Sequence, residues 1–153
     1  MFNICFIGTS VVENEEVVKG RITKSLEFFV EKGGMHVFIG GNLSFASLVL
    51  SVCSKVRKKN HHLRYLFKPA YHHLYEMQDR YKKMIDDSEV IISYYDPAKN
   101  ELTDNIFFNY AKKRKKMIIN LFQGKKLYWF GELVDEISGE YLKEKIKECL
   151  KII

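Results

Sequence analysis

The chain of 153 residues has two prolines, one tryptophan, three cysteines and no apolar run near the roughly 20 residues that a membrane-spanning helix needs. Each shortage excludes a class. Few prolines and nine glycines, against 46% hydrophobic and 14% aromatic residues, exclude a low-complexity or disordered chain. An odd set of widely spaced cysteines, Cys5, Cys53 and Cys149, each in an apolar setting, is not a disulfide framework and predicts buried free thiols in a reducing, cytoplasmic compartment. Phe2 to Ile7 is apolar but short and lacks a preceding basic residue, so it reads as a buried first strand rather than a secretory leader. The five histidines include the adjacent pairs His61-His62 and His72-His73, which point apart on a helix or a strand; with no i, i+4 partner, no metal site is expected.

What is present is a single-domain pattern over 1–153, with 123–153 as a C-terminal extension of less regular character. Short apolar runs alternate with helical periods. Phe2–Ile7, Met35–Ile39, Leu63–Phe67, Val90–Tyr94 and Met117–Leu121 read as strands, four of them almost continuously apolar, as strands covered on both faces are. Between them lie four predicted helices, Val17–Lys32, Leu43–Lys58, Tyr71–Ile85 and Leu102–Lys113. The first carries Val18, Ile22, Leu26, Phe29 and Val30 on one face and ends at Gly33-Gly34. Strict alternation with right-handed crossovers predicts an α/β fold, a three-layer, doubly wound, Rossmann-like parallel sheet of about five strands. Lys126 to Phe130 reads as a further strand or an aromatic connection, and Tyr141 to Ile153 as a closing amphipathic helix. Trp129, between Tyr128 and Phe130, suits a core or subunit contact, and a homodimer through this aromatic third is one expectation.

In such a sheet, ligands bind outside the carboxyl ends of the strands, against helix N-termini whose free N–H groups attract anions. Gly8-Thr9-Ser10 follows the first strand, Gly40-Gly41-Asn42-Leu43-Ser44 the second, and Tyr94-Tyr95-Asp96-Pro97 the fourth. The glycines allow close backbone approach, and Thr9, Ser10, Asn42 and Ser44 offer hydrogen bonds to a phosphate or sugar. The plainer reading is a tight turn and helix caps. Asp96-Pro97 likewise suits a turn, and Asp104 the first turn of its helix.

The net charge of +6 is uneven: residues 1–54 carry four basic and five acidic groups, residues 55–126 carry 17 and eight, and residues 127–153 carry four and six. Lys55 to Lys59 and Lys112 to Lys116 hold most of the excess. Both runs end a predicted helix at the amino edge of the sheet, where they complement the helix dipole; nucleic-acid binding is the alternative.

Phe6-Ile7-Gly8-Thr9-Ser10, Phe38-Ile39-Gly40-Gly41-Asn42-Leu43-Ser44-Phe45, the segment Arg80-Tyr81-Lys82-Lys83-Met84-Ile85-Asp86-Asp87-Ser88 leading into Val90-Ile91-Ile92, and Asn109-Tyr110-Ala111-Lys112-Lys113 occur in the order expected of the YpsA-like branch of the SLOG superfamily. The chain resembles that branch over approximately residues 2 to 122. The superfamily groups nucleotide-sensing domains with phosphoribohydrolases and the DprA DNA-processing protein on a Rossmann-like fold similar to that of nucleoside deoxyribosyltransferases. The resemblance therefore implies a bacterial protein that binds a nucleotide or nucleotide derivative, with no further cofactor. It also implies a phosphate contact at Arg80, although a position well inside a helix equally suits a solvated face.

The departures bear on activity. Ser44-Phe45-Ala46 stands where the branch has Gly-Phe-Asp, Asn100-Glu101-Leu102-Thr103-Asp104 replaces a Gly-Gly-Thr turn, and the transferase-like glutamate falls near Phe107. Glycosidic chemistry needs a placed carboxylate, for which Glu101 and Asp104 are the weak candidates. The expected ligand contacts are thus Gly8, Thr9, Ser10, Gly40, Gly41, Asn42, Leu43, Ser44, Arg80, Asp96 and Thr103. Binding or sensing is favoured, with an N-glycosidase or deoxyribosyltransferase-like enzyme and DprA-like DNA binding as alternatives. A bulky residue at Gly41 is expected to abolish binding and spare the fold.

Overall fold

A computed structural model describes residues 2–8, 12–31, 33–41, 43–67, 74–94, 102–122, 126–129 and 132–134, in some of them the backbone alone. The elements run β1 (Phe2–Gly8), α1 (Glu15–Glu31), β2 (Gly34–Gly41), α2 (Leu43–Lys59), β3 (Arg64–Phe67), α3 (Leu74–Asp86), β4 (Val90–Tyr94), α4 (Leu102–Lys113), β5 (Met117–Asn120), β6 (Lys126–Trp129) and β7 (Glu132–Val134). The sheet order is β3-β2-β1-β4-β5-β6-β7. Its first five strands are parallel, as the alternation of runs predicts. To these the structure adds an antiparallel β6–β7 pair at the β5 edge, which decides the Lys126 segment in favour of a strand. The closing helix predicted over Tyr141 to Ile153 lies outside the described residues.

The continuous apolar runs have the reason expected of them, because alternate residues enter two cores. Ile4 and Phe6 of β1, with Val90, Ile92 and Tyr94 of β4, pack with Val18, Ile22, Leu26 and Phe29 of α1 and Phe45, Val49 and Val52 of α2. Cys5, Ile7, Ile91 and Ile118 pack on the other side with Tyr81, Met84 and Ile85 of α3 and Phe107 and Ala111 of α4. Crossovers of one hand send α1 and α2 to one face and α3 and α4 to the other, so the winding direction reverses between β1 and β4. β3 is the exception to two-sided burial: Tyr65 and Phe67 pack on the α1/α2 core, while Arg64 and Leu66 are exposed on the outermost strand.

Local signals fix the helix ends. Glu15 and Glu16 place negative charge in the first turn of α1. At its far end Gly33, with φ of 108°, donates its N–H to the carbonyl of Val30. The end of α4 is closed by Lys115 in the left-handed region, φ 55°, whose N–H reaches Lys112 O while that of Lys116 reaches Ala111 O. That bond pair is the Schellman arrangement, in which glycine usually occupies the left-handed position. Among the described residues no helix is long and apolar enough to cross a membrane.

Candidate functional site

The reversal between β1 and β4 sets Gly8 in register with both Gly41 of β2 and Tyr94 of β4, so the carboxyl ends named from sequence lie side by side on one edge. Three glycines there do different work. A Cβ on Gly8 would stand 2.5 Å from the ring of Phe45, and one on Gly40 would stand 2.6 Å from the ring of Tyr81. Aromatic rings from opposite faces of the sheet therefore occupy the space that the missing side chains leave. Gly41 is constrained by backbone: its φ is 93°, and a Cβ would fall 2.2 Å from the carbonyl oxygen of Gly8. The expectation that a bulky residue at Gly41 spares the fold is therefore corrected, since it would push β2 away from β1.

Tyr81 was not among the residues singled out from sequence, yet it organises this edge. Its ring is 1% exposed, meets Phe107 edge-on with centroids 4.8 Å apart, and accepts a 2.9 Å hydrogen bond from the N–H of Gly41. Burial raises its phenol above the ordinary value of 10.0, against the opposing effect of the Gly41 N–H and with a smaller contribution from nearby Cys5. The signal in the sequence was its place on the apolar stripe Tyr81, Met84 and Ile85 of α3, beside the more conspicuous Arg80. Arg80 itself is exposed.

On the α1/α2 side the edge rests on an aromatic floor: Phe45 and Tyr94 stack at 6.0 Å with planes 21° apart, and Phe122 meets Tyr94 edge-on at 5.6 Å. Ser44, at the start of α2, accepts a 3.0 Å hydrogen bond from the N–H of Val12 and so ties the segment after β1 to the second helix. Leu43 beside it is 67% exposed. On the α3/α4 side, register aligns Gly40, Ile7, Ser93 and Asn120 in one row just below the edge. Ser93 is 8% exposed, and its hydroxyl has no hydrogen-bond partner among the described residues. Asn120, 5% exposed, accepts the N–H of Phe122 at 3.1 Å.

Among the expected contacts, the structure thus brings Gly8, Gly40, Gly41, Leu43 and Ser44 to one edge. Thr9, Ser10, Asn42, Asp96 and Glu101 lie outside the described residues, and for Thr103 and Asp104 only the helical backbone of α4 is described. Ala46 is fully buried in the α1/α2 core, and Phe107 is 4% exposed in the α3/α4 core. Among the described residues no three His, Cys, Asp or Glu side chains gather as a metal site would require. No protein-family model matches the chain, and no curated protein matches it significantly.

Proposed function

We propose that this protein is a nucleotide-binding or nucleotide-sensing domain of the SLOG type, with the ligand on the carboxyl edge between β1, β2 and β4. One observation carries the reading: the winding reverses between β1 and β4, and at that edge β1 ends in Gly8, which pairs with Tyr94 of β4 on one side and with Gly41 of β2, next to the start of α2, on the other. Open α/β sheets take ligands at that reversal, and a helix start there favours the negative charge of a phosphate. The order of motifs from Gly8 to Lys113 supports the family. Backbone N–H groups at Leu43 and Ser44, in the first turn of α2, meet the phosphate, and the stacked Phe45 and Tyr94 support the loop ends from below. The buried hydroxyl of Ser93 supports the same location, because an unpartnered polar atom beneath a ligand edge is a ready partner for a polar ligand or its water. The proposal includes no reaction.

The test is a thermal-unfolding screen against nucleosides, mono- and dinucleotides, cyclic nucleotides, NAD and ADP-ribose. A ligand at about 100 times its dissociation constant adds roughly 2.7 kcal/mol, which raises the midpoint by about 5 to 11 °C in a chain of this size. A shift confined to one nucleotide class is the expected result. No shift with any of them contradicts the proposal.

A further inference from the structure

Residues 32–75 hold seven Lys and Arg, all five His and not one Asp or Glu. Within this stretch lies β3, the outermost strand of the sheet, paired with β2 alone. An outermost strand directs every second backbone N–H and C=O away from its partner, and such an edge is a template for one more strand. Among the described residues, Arg64, Tyr65, Leu66 and Phe67 make no backbone hydrogen bond beyond the pairing with β2. Leu66 on this edge is 51% exposed, so an added strand would also cover apolar surface.

The two faces beside the edge carry different side chains. On the α1/α2 face Tyr65 and Phe67 pack against the core, and a hollow of about 370 Å³ is lined by Tyr65 with Ser54, Arg57, Lys58 and His61, at and just after the end of α2. The Arg57 guanidinium stands 6.0 Å from the centre of the Tyr65 ring. Alternation places Arg64 and Leu66 on the opposite face, where His36 of β2, exposed like Arg64, is in register with it. Cations therefore stand on both faces of one strand edge. Helix-dipole compensation accounts for Arg57 and Lys58 in the last turns of α2 but not for Arg64 across the strand. Among the described residues no ion pair engages Arg57, Lys58 or Arg64. The basic run at the end of α4 differs, since Arg114 pairs with Asp86 at 3.0 Å and Lys116 donates to the carbonyl of Asp86, so that run is a clasp between α3 and α4.

We propose that the free edge of β3 docks an acidic, extended peptide segment of another protein, which joins the sheet as a further strand. Main-chain hydrogen bonds to β3 hold it, and its side chains, alternating to the two faces, meet both sets of cations. The residue beside Arg64 is acidic, the next, beside Tyr65, turns its carboxylate to Arg57 and Lys58 in the hollow, and the one beside Leu66 is apolar. The four residues of β3 rise about 13 Å, so roughly five extended residues cover the edge. A second copy of this chain is a poorer occupant. Pairing β3 with β3 would bring Arg57, Lys58, His61 and Arg64 of one copy toward the same cations of the other, and residues 32–75 contain no acid to offset them.

The test is fluorescence anisotropy of a labelled peptide, Thr-Val-Glu-Glu-Thr-Val-Glu-Glu-Thr, at 50 mM NaCl, beside the same peptide N-methylated at each Val and Glu. Methylation keeps every charge and removes the backbone donors, so the first peptide should bind saturably below about 1 mM and the second more than tenfold more weakly. Arg57→Gln with Lys58→Gln, and Arg64→Gln alone, should each weaken binding at least about twofold, and the three together at least about fivefold. A variant of equal charge, Lys24→Gln, Lys83→Gln and Lys113→Gln, should change affinity less than about twofold. All six positions are exposed, so both triple variants should keep thermal midpoints near that of the unaltered protein. Saturating peptide should also slow amide hydrogen exchange within Arg64–Phe67 at least about fivefold. No saturable binding up to 1 mM, equal binding of the methylated peptide, equal losses in the two triple variants, or a dimer in which Arg64–Phe67 is protected without peptide would overturn the proposal.

Discussion

Replacing Tyr81 with Phe removes one oxygen and keeps the ring that fills the space above Gly40. In the structure that oxygen is the acceptor for the buried N–H of Gly41, at 2.9 Å, and the tyrosine is 1% exposed. The variant leaves the N–H with neither a protein acceptor nor bulk water, and an unsatisfied buried donor costs about 1 to 3 kcal/mol. With a urea m-value of about 2 kcal/mol/M, the midpoint should fall by roughly 0.5 to 1.5 M at unchanged m. Tyr110→Phe is the matched control. Its hydroxyl also makes a short bond, 2.7 Å to Asp86, but in an exposed clasp, where removal should cost less than about 0.5 kcal/mol. The unaltered protein should also lose stability above pH 10: burial holds the Tyr81 phenol above its unfolded value, so its contribution is complete below 10 and is lost as pH rises toward the folded value. Tyr81→Phe removes that part of the slope. Equal midpoints for Tyr81→Phe and the unaltered protein would refute the claim that this hydroxyl holds the end of β2.

Gly41→Ala should destabilise by roughly 2 to 5 kcal/mol in the same assay, combining about 1 to 2 for a side chain at positive φ with about 1 to 3 for displacement of the Gly8 carbonyl. Lys115→Gly should stabilise by about 0.5 to 1 kcal/mol, because it relieves the left-handed residue that closes α4. In a Cys149→Ser background, the native protein at pH 8 should leave a disulfide reagent essentially unconsumed, and the unfolded chain should react at two thiols. Cys5 and Cys53 are both fully buried, and burial pushes the Cys53 thiol up to about 12 and that of Cys5 up as well. Their protonated forms favour the fold below pH 9, a contribution that fades as pH rises above it.

The fold was legible where one rule governs a whole segment. Ile4 to Ile7 and Val90 to Tyr94 are apolar at every position but Ser93 because each strand faces two helix layers, and that two-sided burial is the mark of an inner parallel strand. β3 was read as well, although Arg64 interrupts its apolar run, and both Arg64 and Leu66 are exposed on the outermost strand. β7, three residues long, is too short to show a period. At the edge, the glycines could be read but their cause could not. Gly8 is needed by the ring of Phe45 and Gly40 by that of Tyr81, each contact closing through a helix distant in the chain. The same blindness favoured Arg80, whose charge is conspicuous in a sequence, over Tyr81, whose role depends on packing against a neighbouring strand.

Amide chemical shifts of the isotope-labelled protein, titrated with the mononucleotide that stabilises it most, test nucleotide binding at the carboxyl edge most directly. The account predicts that the amides of Gly8, Gly41 and Ser44 move most and saturate together, while those from Lys55 to Arg64 stay in place. Largest movements at Lys55 to Arg64, with Gly8, Gly41 and Ser44 unmoved, would contradict it.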